Sequence, residues 1–320
     1  MKPIIGVDIG GTKISISLAR KDSKIIEKKE IPTRVRSDAK NSIKDIIDTI
    51  NLILFQQRLS PTNILGIGVS VPGAVSPEKG IIPESPNLPG WKGIRIKDIL
   101  RKKFRRPVFV NNDAKASALA EKLFGVGKHA SNFVYVTVST GIGSGIIVSG
   151  ELISGASFSA GEIGHTTIIP GGPLCNCGKR GCLEALSSGT AIAAQAKRMM
   201  EAGKFHELGS YKARPGNGKL TAEIVAVAAR EGDPLAVQIM RNAGHFLGIG
   251  LANVINILNP EVVVLGGGVM KAGDLVWKSM EQALKREAWP EPLKACKIMR
   301  SKLGEHSGDL GAISLVLMEQ

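Results

Sequence analysis

The chain has 320 residues, of which 43% are hydrophobic and 22% charged. That balance excludes a disordered or fibrous protein, and the length suits two ordinary domains whose cores need no disulfides. Lys and Arg (42) outnumber Asp and Glu (28) for a net charge of +14, which raises nucleic acid and anionic membranes as partners to be weighed.

The first element is the apolar stretch Ile4–Ile9, a strand, closed by the turn Gly10-Gly11-Thr12. Lys13–Leu18 alternates with the period of a half-buried strand, and Lys24–Ile31 supplies a third. Apolar residues at 43, 46, 47, 50, 53 and 54 predict a helix over Asn41–Leu59. Ile64–Val69 and Val108–Asn111 read as strands, and Ala114–Phe124 as a helix. The second half repeats the plan: strand Phe133–Val138, glycine turn Ser139–Gly143, and strand Ser144–Ser149, which Glu151–Ile153 can extend. After a long loop to Gly181 come helices through Asn259, the last over Pro234–Leu258. A buried strand, Glu261–Leu265, then stops at Gly266-Gly267-Gly268. The repetition suggests a duplicated α/β unit with a cleft between the halves.

An acid, Asp8, appears before a signal-peptide core can form, and no apolar run reaches the ~18 residues of a membrane span. The expected location is the cytoplasm, where clustered thiols point to a metal sooner than to disulfides.

Three glycine turns follow strands, at 10–12, 141–145 and 266–268. Each reads either as a tight hairpin or as a nest of backbone amides that cradles phosphate, and their recurrence at strand ends favours phosphate. Thr12 and Thr140 add hydroxyls, Lys13 a cation, and Asp8 a carboxylate for the Mg²⁺ that accompanies a nucleotide. A dinucleotide fingerprint is excluded because Gly141-Ile142-Gly143-Ser144-Gly145 leads into a strand and opens no helix.

His165, Cys175, Cys177 and Cys182 form a Cys₃His set, with Gly171, Gly172, Gly178 and Gly181 to let the chain wrap an ion. Four protein ligands leave no position for a reactive water, so the expected metal is structural zinc. The alternative is free buried thiols; Cys296 reads as ordinary core. Asp113 stands where a strand gives way to a helix, so its alternatives are a cap and a catalytic carboxylate. Glu162 and Glu184 flank the cysteine loop.

Together these segments resemble the ROK family of sugar kinases over nearly the whole chain. They are Asp8-Ile9-Gly10-Gly11-Thr12-Lys13, Val71-Pro72-Gly73, Ser85-Pro86-Asn87-Leu88-Pro89-Gly90-Trp91, Asn112-Asp113-Ala114, Ser139-Thr140-Gly141-Ile142-Gly143, Gly161-Glu162-Ile163-Gly164-His165 and Cys175–Glu184. The resemblance implies an actin/hexokinase-like (ribonuclease H-like) α/β fold of duplicated domains around a central cleft. The expected division is residues 1–115 with 303–320 in a smaller domain and 116–302 in a larger one, with the zinc loop at 165–182. It implies a homodimer, ATP with Mg²⁺, and phosphorylation of a hexose at its 6-hydroxyl as a step of carbohydrate metabolism and glycolysis. Asp113 looks like the general base, and Gly73, Asn87, Asn112, Glu162, His165 and Glu184 like the sugar-binding groups, His165 also serving the zinc. Asp8, Gly10, Gly11, Thr12, Lys13, Thr140, Gly141, Gly143, Gly266, Gly267 and Gly268 look like the nucleotide site.

The segment 85–91 is similar to the glucokinase branch, making glucose the first acceptor and an N-acetylhexosamine the runner-up. Polyphosphate stays open as a second donor. The family's sugar-responsive repressors carry an extra DNA-binding domain, for which a chain opening on its first strand is expected to have no room, so no nucleic-acid partner is expected. Two positions depart from the family pattern: Asn111 stands where Glu is common, and Lys115, where Asn is common, is expected to point to solvent. The basic run Arg101–Arg106 reads as a solvated helix end before Pro107.

Overall fold

The structure, a computed structural model, describes residues 2–34, 39–82, 88–202, 220–272 and 274–318. The chain divides into two units. The first comprises Met1–Ala130, Gly145–Ala160 and Ser301–Gln320, and the second Ser131–Ser144 and Gly161–Arg300, so the chain passes between units four times.

The first unit is built on a five-stranded sheet in the order β3-β2-β1-β4-β5, from β1 (Ile4–Ile9), β2 (Lys13–Ala19), β3 (Ile25–Pro32), β4 (Ile67–Val71) and β5 (Val108–Asn112). β1, β2 and β3 form antiparallel hairpins, whereas β4 and β5 add in parallel, Val7 facing Val69 and Val69 facing Val110. Parallel strands buried on both faces require continuous apolar runs, and every residue of β4 is buried. Helix α1 (Ala39–Gln56) lays Ile43, Ile46, Ile50 and Ile53 on this sheet. It starts two residues earlier and ends three earlier than its apolar stripe predicts, the usual uncertainty at frayed ends. Helix α2 (Ile96–Phe104) ends in left-handed Arg105 (φ 52°). Arg101, Lys102 and Lys103 are exposed there as expected, but half-buried Arg106 donates to the Leu65 carbonyl at 3.1 Å.

The second sheet has the order β10-β9-β6-β7-β8, from β6 (Phe133–Val138), β7 (Ile142–Val148), β8 (Glu151–Leu152), β9 (Val262–Gly266) and β10 (Lys297–Arg300). Read from β8, this is the order of the first sheet with each strand replaced by its counterpart. β9 lies parallel to β6, β10 parallel to β9, and β7 antiparallel to β8. The duplication suggested by the two glycine turns is therefore present in the topology.

Helices α3 (Asp113–Leu123), α4 (Leu183–Ser187), α5 (Gly189–Glu201), α6 (Ala222–Arg230), α7 (Pro234–Leu258), α8 (Gly268–Lys271), α9 (Asp274–Glu287), α10 (Pro290–Ala295) and α11 (Ser307–Leu317) complete the described elements. In α11 every residue from Asp309 to Val316 is buried. It crosses β4 so closely that a Cβ at Gly68 would overlap the Ala312 carbonyl. Gly68→Ala is accordingly expected to destabilise by about 3 kcal/mol or more, since overpacking against backbone cannot relax by a rotamer change. Denaturant midpoints of the two proteins measure this.

Within the first unit, buried Glu121 of α3 accepts from Ser301 Oγ at 2.5 Å and from the Val126 amide at 2.9 Å. Burial pushes its carboxyl above the ordinary glutamate range, against those two hydrogen bonds. Between the unfolded and the raised folded value, the folded state holds a proton the unfolded state has released, so stability falls as pH rises through that window. Glu121→Gln should remove this fall while matching wild type at lower pH, and denaturation curves from pH 4 to 8 would check it.

Candidate active site and metal centre

The end of β1 presents Asp8, whose carboxylate accepts from Ser70 Oγ of β4 at 2.5 Å and abuts Gly308 at the start of α11. Burial pushes its carboxyl upward; the Ser70 hydrogen bond opposes this and the nearby Asp309 adds to it. A cation beside it would relieve that cost. Asp309, itself buried, accepts from Ser15 Oγ at 2.5 Å and pairs with Lys28 at 2.8 Å, so a carboxylate 301 positions away in sequence braces the same corner. The turn after β1 is a hairpin in which the Gly10 amide donates to the Lys13 carbonyl at 3.0 Å. Gly11 is half-buried, Thr12 exposed, and the Lys13 ammonium is paired with Glu30 at 2.7 Å.

At the end of β5 the chain turns into α3, and Asn112 is the N-cap. Its Oδ1 accepts from the amides of Ala114 (3.0 Å) and Lys115 (3.1 Å), and its Nδ2 donates to the Gly73 carbonyl at 3.2 Å. Capping by Asn112 leaves Asp113 as the first helical residue, exposed, with Oδ1 accepting from the adjacent Ala114 amide at 2.8 Å. The cap alternative for Asp113 therefore gives way to Asn112. Asn111 is buried and accepts from the Asn112 amide at 2.8 Å. Lys115 corrects the expectation: 3% exposed, it donates to the carbonyls of Phe158 (2.8 Å) and Ser154 (3.3 Å). Asn87 lies outside the described residues.

In the second unit the glycine turn after β6 is tighter than predicted, because Ile142 and Gly143 already belong to β7. Thr140 is exposed, and the turn rests on the start of α5: the Gly189 amide donates to Ser139 O at 2.7 Å and Thr190 Oγ1 to Thr140 O at 2.7 Å. Gly267, in the left-handed region at φ 93°, lies against Val138 so closely that any Cβ would clash with its backbone. Two of the three predicted phosphate turns, 141–145 and 266–268, thus lie near the ends of the paired strands β6 and β9. Gly189 and Thr190 escaped the sequence reading; the N-cap residue Ser188, which accepts from the Ala191 amide at 3.1 Å, was the available signal.

The Cys₃His set converges. The ligand atoms of His165, Cys175, Cys177 and Cys182 all lie within 4.8 Å of one another. Cys175 Sγ is 3.7 Å from His165 Nδ1, and Cys177 Sγ is 3.7 Å from Cys182 Sγ. A tetrahedron with metal–sulfur bonds of ~2.3 Å has edges of about 3.8 Å, so the donors fit zinc in type, number and spacing. Burial pushes the Cys175 thiol up to about 12 and raises that of Cys182, while the Lys179 amide lowers Cys177. The loop doubles on itself: Ile168 N donates to Gly181 O at 2.8 Å, and a Cβ at Gly181 would overlap Ile169 O. Cys296 is buried apart from the cluster, its thiol pushed up to about 11 by burial.

His165 turns Nδ1 to the sulfurs and Nε2 toward exposed Glu162, 4.0 Å away. Glu184, in the first turn of α4, accepts from the Ile142 amide through Oε2 at 2.9 Å and faces Cys175 Sγ through Oε1 at 3.7 Å. One carboxylate therefore joins the cysteine loop to the glycine turn after β6. Among the described residues, no helix is long and apolar enough to cross a membrane.

The ROK family model matches residues 4–319. A glucokinase of Halalkalibacterium halodurans is 36% identical over 99% of this chain and 95% of its own. A xylose repressor of Caldicellulosiruptor bescii is 32% identical over 99% of this chain and 78% of its own. The crystal structure of a ROK family glucokinase from Streptomyces griseus in complex with glucose and AMPPNP is 30% identical, covers 99% of both chains, and matches with a TM-score of 0.81. The fold is the actin/hexokinase-like α/β fold.

Proposed function

The chain belongs to the ROK family, and we propose that it works there as an ATP-dependent hexokinase that phosphorylates the 6-hydroxyl of glucose. The observation that carries this reading is the division of labour at the start of α3, where Asn112 caps the helix and leaves the Asp113 carboxylate exposed. Asp113 takes the proton of the 6-hydroxyl as its oxygen attacks the terminal phosphorus. The bond to the bridging oxygen breaks, and its electrons leave with ADP. Such transfer needs positioning and charge neutralisation more than covalent catalysis. Asp8, Gly10–Lys13, Thr140, Gly141, Gly143 and Gly266–Gly268 serve the Mg²⁺-nucleotide, and Lys13 exchanges its Glu30 partner for phosphate. Gly73, Asn87, Asn112, Glu162, His165 and Glu184 serve the sugar, and zinc, when bound, supplies a closed four-ligand staple for the loop. The chain acts as a homodimer in the cytoplasm, and the net charge identifies no partner.

The xylose-repressor relative supports a second reading, a sugar-binding regulator without catalysis. ADP release across glucose, mannose, fructose, N-acetylglucosamine and N-acetylmannosamine separates the two. Turnover on glucose above the others is expected, whereas sugar binding with no turnover on any of them would establish the regulator.

A further inference from the structure

We propose that Lys115 is a positioning residue for the acceptor sugar, its buried ammonium tying the loop 154–160 to the helix that carries Asp113. The proposal rests on the reading of Asp113 as base and of Glu162 and His165 as sugar-binding groups.

The chain crosses between units after residues 130, 144, 160 and 300, and α3 holds the first-unit side of each crossing. Lys122 Nζ donates to Ala130 O at 2.7 Å. Gly145 packs on α3 so tightly that a Cβ would stand 2.5 Å from that of Ala118. Glu121 holds Ser301 at 2.5 Å. Lys115 holds Ser154 and Phe158, just before the third crossing. One helix is therefore the common anchor of all four, and its first residue is Asp113.

The third crossing leads straight into the sugar-binding segment. Phe158 sits at φ 60°, a conformation costly for a bulky side chain, and Gly155 at φ 75°. The Lys115 ammonium donates to the carbonyl of Phe158 and shares that of Ser154 with the Ala160 amide, which donates at 3.0 Å. Gly161 follows at φ 90°; its carbonyl accepts from Ser144 Oγ at 2.5 Å and from the Ile163 amide at 2.7 Å. Glu162 follows Phe158 by four positions and Ala160 by two. A lysine is rarely this buried unless its partners repay the lost hydration, and the carbonyls that shape this loop are among them.

The test compares Lys115→Met and Lys115→Asn with wild type by glucose and ATP kinetics, glucose titration and hydrogen exchange, the Asn variant standing in should the Met variant not fold. The KM for glucose should rise about tenfold, since small displacements at a distance cost this much, with the KM for ATP within about twofold. Exchange at the Ala160 and Ile163 amides should quicken about tenfold. Adding Phe158→Gly, which removes the strained residue, should bring the glucose KM back to within about threefold of Phe158→Gly alone. Unchanged exchange and glucose KM in a folded variant, or glucose and ATP KM rising in step, would overturn the proposal. If wild type turns over no hexose, the kinase reading falls, and exchange with glucose titration still decides the role of Lys115.

Discussion

Asp113→Asn is expected to lower kcat for glucose by about 10²–10⁴-fold while glucose and ATP bind within about threefold of wild type. The substitution keeps the side-chain oxygen that accepts from the Ala114 amide, and the cap belongs to Asn112, so the start of α3 survives. Asp113 is exposed, which removes any change of burial from the comparison. What disappears is the capacity to accept a proton. An ADP-coupled assay with calorimetric titration of glucose measures both halves of the expectation. A variant with near wild-type kcat removes Asp113 from the mechanism; one that loses sugar binding in proportion makes it a binding residue only.

The sequence reveals features that repeat or cluster locally and misses those that depend on distant neighbours. The stripe from Ile43 to Leu54 reports one buried face, and α1 stands where expected. The alternation of Lys13–Leu18 places β2 correctly but misses that both its faces are covered, since Ser15 and Ser17 are buried along with Ile14, Ile16 and Leu18. Helix α11 has no such stripe because it is buried on all sides, and a helix without a wet face leaves no period to read. The cysteine loop was legible because its ligands lie within 18 positions and their chemistry narrows the choice. Asp309 was not, since the partners that give it meaning, Ser15 and Lys28, are nearly the whole chain away. Lys115 misled for a physical reason: exposure is the ordinary state of lysine, and the path of the loop 154–158, which no local pattern reveals, supplies carbonyls to its ammonium.

Cys182→Ser is expected to abolish zinc binding, open the loop 165–182 to trypsin, and weaken glucose binding by tenfold or more. Five cross-loop backbone hydrogen bonds, Ile168 and Ile169 to Gly181, Cys175 to Lys179, Gly181 to Pro173 and Leu183 to Thr166, hold this segment at 2.8–3.2 Å. At about 0.5–1.5 kcal/mol each they contribute a few kcal/mol. Ordering a residue's backbone costs about 1–2 kcal/mol, so a segment of 18 residues demands several times what those bonds return. A structural zinc site supplies about 10–16 kcal/mol in isolated peptides, a contribution of the required size. Serine conserves the volume of buried Cys182, which separates loss of the ligand from loss of packing. Lys179 and Arg180 are exposed at the tip of the loop and offer trypsin its sites once the fold around them loosens. The effect should reach the sugar through His165, a member of the cluster, and the turn after β6 through Glu184, which holds the Ile142 amide. Cys296→Ser, away from the cluster, should retain zinc, trypsin resistance and affinity. Full glucose affinity with an intact loop in the zinc-free Cys182 variant would sink the structural-metal reading, because backbone bonds alone would then suffice to hold the segment.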